Sequence, residues 1–354
     1  PAGTAHTLRA RNGRPYGYDL CNEAYSMDDI ITLDYGSGGK KTSALIEKLL
    51  LPSLGNDELN PLGDGAILQG GERLVFSTDS FVVDPIFFPG GNVGKLSVCG
   101  TVNDLAAMGA KPLYLTASFI LETGLDMEIL EQIVASMGAT AKEAGVVIVA
   151  GDTKVIEGRG GCYINTAGIG ERQEGIVISA HNLQAGDGII VTGTLGDHHA
   201  TVLTSRMGME SRVRSDCAPL NKIVGALLEG GIVVHAMRDI TRGGLATVAN
   251  ELAEASGVKI LLQEEMLPVN PAVQGLCGIL GLDPLTMGNE GKLCIVLPAD
   301  QAERALKIVR EQKYGNDAVL VGRVEQGEGV WLQNELGGCR RIQPLQGEGL
   351  PRIC

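Results

Sequence analysis

The stretch GKLSVCGTVNDLAAMGAKPLYLTASFILETGLDMEILEQIVASMGATAKEAGVVIVAGD, residues 94–152, passes twice from helical to extended patterning. Gly94–Met108 reads as a helix, and Leu113–Ile120 is a short apolar run behind a proline, the signature of a strand. Met127–Ala144 is helical again, with apolar residues at three- and four-residue steps through Ile129, Ile133, Val134 and Met137. Val146–Ala150 then forms a strand that stops at Gly151 and Asp152. Helix and strand alternating at this spacing predict a mixed α/β (α+β) chain.

The same style extends in both directions. Upstream, strands are expected at Ile30–Asp34 and Arg73–Thr78 and a helix at Thr42–Leu51; downstream, a strand at Cys162–Gly170. A polar connection over Ile176–Gln184 ends in QAGDG, a turn signal before the strand Ile189–Thr192, and a domain boundary is placed there. Beyond it come helices near Cys217–Leu228, Leu245–Ala255 and Ala299–Glu311, and strands near Ile260–Leu262, Leu293–Leu297 and Ala318–Val324. Residues 1–26 form an extension, 27–180 an N-terminal domain and 181–342 a C-terminal domain. QPLQGEGLPRIC, residues 343–354, has two prolines, two glycines and no period, and is expected to be a flexible tail.

Composition narrows the function. The 354 residues are 44% hydrophobic but only 4% aromatic, so the core is aliphatic. Fifty glycines, without a period of three, imply many tight turns and close backbone approaches. A net charge of −13 with no basic stripe speaks against nucleic acid as a partner. No apolar run approaches the roughly 20 residues that span a bilayer, and the opening segment has no signal-like apolar core, so no membrane partner is expected. Eight cysteines, no two closer than 15 residues, lack metal-site spacing and predict a reduced, cytoplasmic chain with buried thiols. Cys354, the last residue, breaks that pattern.

Five features could carry chemistry. GSGGKKTS, Gly36–Ser43, lets backbone N–H groups approach an anion ahead of a helix, or is simply a glycine-rich turn; it fits neither a P-loop nor a dinucleotide fingerprint. Asp64 in GDGA, Asp79 in STDSF, Asp104 in VNDLA and Asp152 in AGDTK each border a glycine or a strand end. Singly each is a turn former, as Asp187 in AGDGII is read to be, but together they could hold Mg²⁺ and a polyphosphate. Lys154 and Glu290 are charges in apolar surroundings, suited to an ion pair or to proton transfer. TLGDHHAT carries vicinal His198 and His199, which cannot both face one site from a strand, and RDITRGG offers Asp239 and Arg242 before a helix start. Finally, an exposed thiol at Cys354 could serve as nucleophile or tethered carrier.

Taken in order, GSGG, GDGA, STDSFVVDP, FFPGGNVGKL, GTVNDLAAMGAKP, AGDTKV, GTLGDH, RDITRGG, NEGKL and the final PRIC resemble the HypE family of hydrogenase-maturation carbamoyl dehydratases, over about Asp28–Cys354. The resemblance implies a two-domain fold like aminoimidazole ribonucleotide synthetase, dimeric through barrel-like pairing of N-terminal sheets. It implies ATP held by Mg²⁺ at Asp64, Asp79, Asp104 and Asp152, under a phosphate lid made by Gly36, Ser37, Gly38 and Gly39. Lys95, Asn103 and Asp239 are further nucleotide-side residues, and Lys154 and Glu290 the proton-transfer pair. Cys354 would receive a carbamoyl group from the carbamoyltransferase HypF, become a thiocyanate at the expense of ATP, and pass cyanide to iron in a HypC–HypD complex on the way to [NiFe] hydrogenase. The alternative is another ATP-dependent enzyme of the superfamily acting on a small metabolite, like selenophosphate synthetase or thiamine monophosphate kinase. GSGGKK lacks the cysteine that a selenophosphate synthetase carries near its glycine loop.

Overall fold

The computed structural model of the chain describes residues 27–37, 40–60, 62, 65–66, 68–345, 350 and 352–353. Ile30–Asp34 corrects the first strand expectation: Ile30 makes one isolated bridge to Asp126, and Leu33–Gly36 is a 3-10 turn. Ile31 and Tyr35 are buried anchors while Ile30 and Leu33 are exposed, so the apolar run does not enter a ladder. The helix expected at Thr42–Leu51 is α1 (Lys40–Leu45) and α2 (Leu51–Leu54), joined by a π turn at Ile46–Leu50.

Then follow β1 (Leu74–Phe81), β2 (Phe87–Phe88), β3 (Gly91–Asn92), α3 (Val93–Ala107), β4 (Ala110–Glu122), α4 (Met127–Ala144), β5 (Val147–Ile156) and β6 (Cys162–Arg172). Four of these strands form a sheet in the order β1-β6-β4-β5, in which only β4 and β5 run parallel. α4 begins where the Asp126 carboxylate accepts from Glu128 N–H and ends at Gly145, whose φ of 75° turns the chain back. α3 opens with Asn92 accepting from Lys95 N–H. Apart from Lys95, Asn103 and Asp104 it is apolar or small, because it lies between the first sheet and the second half: Leu96, Val98 and Val102 join the N-terminal core, Ala106 and Ala107 the C-terminal one.

The second half contains β7 (Asp187–Val191), α5 (Asp197–Arg206), α6 (Asn221–Glu229), β8 (Ala236–Asp239), α7 (Gly244–Ser256), β9 (Lys259–Gln263), α8 (Pro271–Leu280), β10 (Leu293–Pro298), α9 (Ala302–Arg310), β11 (Val319–Glu325), β12 (Gly329–Gln333) and β13 (Cys339–Ile342). The strands make a sheet ordered β13-β12-β9-β11-β7-β10-β8. Its period-two pattern feeds two cores: Ile189, Val191 and Val296 pack with Leu245, Val248 and Leu252 of α7, while Ile190, Ile295 and Leu297 pack with Ile223, Leu227 and Val309 of α6 and α9. α6 starts four residues later than Cys217, because residues 217–220 run beside the Glu290 loop instead of coiling. His198 and His199 sit on a helix, α5, not a strand, and both are buried. Asp187 is a turn residue: its carboxylate accepts from Gln184 N–H and pairs with His235.

Cys99, Cys162, Cys217, Cys277 and Cys294 are buried thiols and Cys339 is exposed. Burial pushes the thiols of Cys162 and Cys294 up to about 12. Among the described residues no helix is long and apolar enough to cross a membrane.

Candidate active site at the seam of the two sheets

Alternation along β1 sends Ser77, Asp79 and Phe81 to the face that α3 covers. The approach is close because residue 100 is glycine. A Cβ there would lie 2.7 Å from the Phe81 ring and 3.6 Å from Asp79 Oδ2. One turn further along α3, Asp104 Oδ2 accepts a 2.8 Å hydrogen bond from Ser77 Oγ. β8 also packs on α3, which brings Asp239 at its end toward the same place, and the loop before β10 adds Glu290.

These four carboxylates feel one another. Burial raises the pKa of Asp79 above the usual range, against the pull of Ser80 N–H and Arg242. Asp104 is raised by burial and by the charge of Asp79, with Ser77 and Arg238 opposing. Burial first, then Asp104, lifts Asp239 to about 7. Glu290 is pushed well above its ordinary value by burial and by Cys217, Asp216, Asp239 and Asp79. Clustered oxygens short of countercharge are the donor chemistry that a hard divalent cation fits. As they stand, no three metal-ligating side chains among the described residues converge on a chelating geometry. Asp64, Gly38, Gly39 and Cys354 lie outside the described residues.

The glycine loop sits elsewhere, against the edge strand β5. A Cβ on Gly36 would come within 2.7 Å of Val155 N, so only glycine lets the backbones meet. Ser37 Oγ–H donates to Asp34 O at 2.8 Å. Between this loop and the sheet lies a cavity of about 220 Å³ lined by Thr42, Ile46, Leu50, Phe119 and Thr153. Asp152 and Lys154 pair at 3.0 Å, but their side chains are 60% and 65% exposed, so the pair contributes little to stability. Register places both opposite Ser118 and Ile120, on the sheet face away from α3. Asp79 and Asp104 are therefore brought together, whereas Asp152 stands across the sheet from them. Lys154 is likewise separated from Glu290.

Asn103 works as a staple. Its amide donates to Ala218 O at 3.1 Å and to Glu290 O at 3.5 Å, and its Oδ1 accepts from Leu220 N–H at 2.8 Å. Lys95 Nζ donates to Gly90 O and lines a cavity of about 530 Å³ with Arg214, Asp216, Cys217 and Lys292. The sequence reading missed Ser77, Asp216 and Arg238. Asp216 shapes the Glu290 loop, accepting from Glu290 N–H at 3.2 Å and Gly291 N–H at 3.1 Å. Nothing in RSDCAP signals that, since its partners are 74 residues away. The segment before Cys354 also returns to the body: Leu350 packs on the N-terminal core and Ile353 is buried.

Comparison with known proteins agrees with this architecture. The family model "AIR synthase related protein, N-terminal domain" matches residues 62–172 and its C-terminal counterpart residues 184–333. Carbamoyl dehydratase HypE of Escherichia coli K12 is 46% identical over 337 residues, 92% of this chain and 99% of that protein. A crystal structure of hydrogenase maturation protein HypE in complex with ATP superposes with a TM-score of 0.88 at 46% identity, covering 91% of this chain and 99% of that one. HypE in a HypE–HypF complex gives 0.75 at 44%, covering 85% and 100%. A thiamine-monophosphate kinase from Stenotrophomonas maltophilia, 24% identical with a TM-score of 0.64 over 82% of this chain and 95% of that one, shares the fold. With such identity sustained over nearly its whole length, the chain belongs to the HypE family of carbamoyl dehydratases.

Proposed function

We propose that this chain dehydrates a carbamoyl group on its own Cys354 to a thiocyanate at the expense of ATP. The observation that carries the reading is the gathering of Asp79, Asp104, Asp239 and Glu290 at the seam of the two halves, in a chain so similar to HypE proteins. ATP would transfer its terminal phosphoryl group to the carbamoyl oxygen, turning a poor leaving group into phosphate. Two N–H protons and the phosphate then depart, leaving S–C≡N. Glu290, whose carboxylate is an avid proton acceptor once ionised, and Lys154, in its neutral amine form, take the protons. Asp79 and Asp104, with Asp64 and Asp152, would hold Mg²⁺, which when bound neutralises phosphate charge. The loop Gly36–Gly39 would close over the phosphates, with Lys95, Asn103 and Asp239 on the nucleotide side.

The N-terminal sheet leaves Leu74, Phe76, Ile120 and Ile156 exposed, Phe76 by 67%, on the face that also carries Asp152 and Lys154. We assign that face to a second copy of the chain, and propose that each site takes Lys154 from one copy and Glu290 from the other. A HypF-type carbamoyltransferase charges Cys354 and a HypC–HypD complex accepts the cyanide, in the cytoplasm, where thiols stay reduced. A small-metabolite kinase is the weaker reading, because the thiamine-monophosphate kinases share the fold at half the identity of the HypE proteins. Intact-mass spectrometry after incubation with a carbamoyl donor system and ATP decides between them. The expected result is loss of one water from carbamoylated Cys354. ATP consumption without any mass change on the chain would overturn the reading.

A further inference from the structure

The peptide ahead of Cys354 meets four groups from separate parts of the chain. Arg352 O accepts from Asp84 N–H at 3.1 Å and from the Arg206 guanidinium, whose Nε–H also donates to Asp84 O. Ile353 O accepts from His198 Nε2 at 2.7 Å, and the Ile353 side chain is buried, 3.5 Å from where a Cβ on Gly288 would stand. The imidazole is pinned in the tautomer this requires. Ser215 Oγ accepts from Cys217 N–H at 3.1 Å, so its hydroxyl is free to donate to His198 Nδ1 at 2.7 Å, leaving the proton on Nε2. Phe88 packs edge-on against the same ring at 5.1 Å between centroids.

The Arg352 side chain points into a cavity of about 260 Å³ beside Glu122. Glu122 is set in advance by Arg159 N–H at 2.7 Å, Gly161 N–H at 2.9 Å and Tyr163 O–H at 2.9 Å, which together with Arg352 hold its carboxyl below the usual range. Arg352 itself adopts φ of 52°, a backbone form that a non-glycine residue keeps only where its surroundings impose it.

We propose that His198, Arg206 and Asp84, assisted by Glu122, form a receptacle that grips Arg352–Ile353 by its carbonyls and so positions residue 354 independently of the group it carries. Three of the contacts read backbone and the Ile353 pocket reads an aliphatic side chain; none requires Cys354 to be unmodified. His198 and Arg206 are thus positioning residues for a tail that must dock in more than one chemical state. This deepens the proposed function and rests on Cys354 being the carrier.

The bond after Arg352 is a trypsin site, so docking can be followed in the full chain as loss of Ile353–Cys354 from the intact mass. Arg206→Ala and His198→Asn should release the dipeptide about tenfold faster than the parent, and Glu122→Gln about twofold faster, with ATP affinity unchanged. Thiocyanate formation should fall in kcat by a similar factor while KM for ATP holds. If His198→Asn does not fold, Arg206→Ala and Arg206→Lys, changed at the surface, decide the matter. Release within twofold of the parent in folded Arg206 variants would overturn the receptacle, and so would faster release with kcat intact. A parent chain that forms no thiocyanate but shows the protection pattern would instead sink the proposed function and leave the receptacle standing.

Discussion

Replacing Asp239 with asparagine should stabilise the folded chain, and increasingly so as pH rises, when no divalent cation is present. Unfolded, this carboxyl ionises near 3.8; folded, burial and Asp104 hold it to about 7. Between those values the native state keeps a proton that the unfolded state releases, so stability declines as pH climbs from 3.8 to about 7 and is level above. The full shift corresponds to roughly 4 kcal/mol. Asp239 is only half-buried, and solvent screening trims this to roughly 1–3 kcal/mol. Asparagine has the same shape without the charge and removes the penalty. Urea unfolding of parent and Asp239→Asn near pH 5 and pH 8 reads the effect as a difference in midpoint that widens with pH. Mg²⁺ should narrow the difference at the higher pH, because a cation held by Asp79 and Asp104 would offset the charge of Asp239 in the parent. A stability difference that is the same at both pH values, or favours the parent without cation, would refute the electrostatic picture of the seam.

Glu290→Gln and Lys154→Ala should each bind ATP yet dehydrate carbamoylated Cys354 at least a hundredfold more slowly, measured by single-turnover mass spectrometry; parental rates would clear both of proton transfer (estimate of about 10²). Mixed in equal amounts and allowed to exchange subunits, the two dead variants should recover about a quarter of parental activity, since half the dimers are mixed and each of those has one complete site. No recovery would place the pair within one copy. Asn103→Ala strips three hydrogen bonds from a buried junction and should cost about 2–4 kcal/mol in chemical unfolding; a loss below about 1 kcal/mol would show that the staple is dispensable. The parent should sediment as a dimer and Phe76→Asp as a folded monomer in analytical ultracentrifugation; the same sedimentation coefficient for both would overturn the assignment of this face.

The sequence by itself determined the elements and the chemistry on offer. Short apolar runs bounded by glycine, such as Cys162–Gly170, and three- and four-residue steps such as those of Met127–Ala144 are local to each segment, and the structure has β6 and α4 there. Asp79 and Asp104 could be singled out in the sequence as candidate carboxylates, but neither borders a glycine or ends its element: Asp79 lies within β1 and Asp104 within α3. Ile30–Asp34 misled because a short apolar run reads as a strand whether or not a neighbouring strand is available; here Leu33–Gly36 coils into a 3-10 turn and only Ile31 and Tyr35 are buried. Tertiary structure alone decided which groups meet. Parity along one strand says which residues share a face, but not which face of a sheet a second strand presents; that depends on register, and register put Asp152 and Lys154 across the sheet from Asp79. Asp216, Asn103 and His198 find their partners 74 to 187 residues away. Such contacts leave no periodicity or spacing in the sequence, because they are created by packing two halves whose internal patterns were each complete without them.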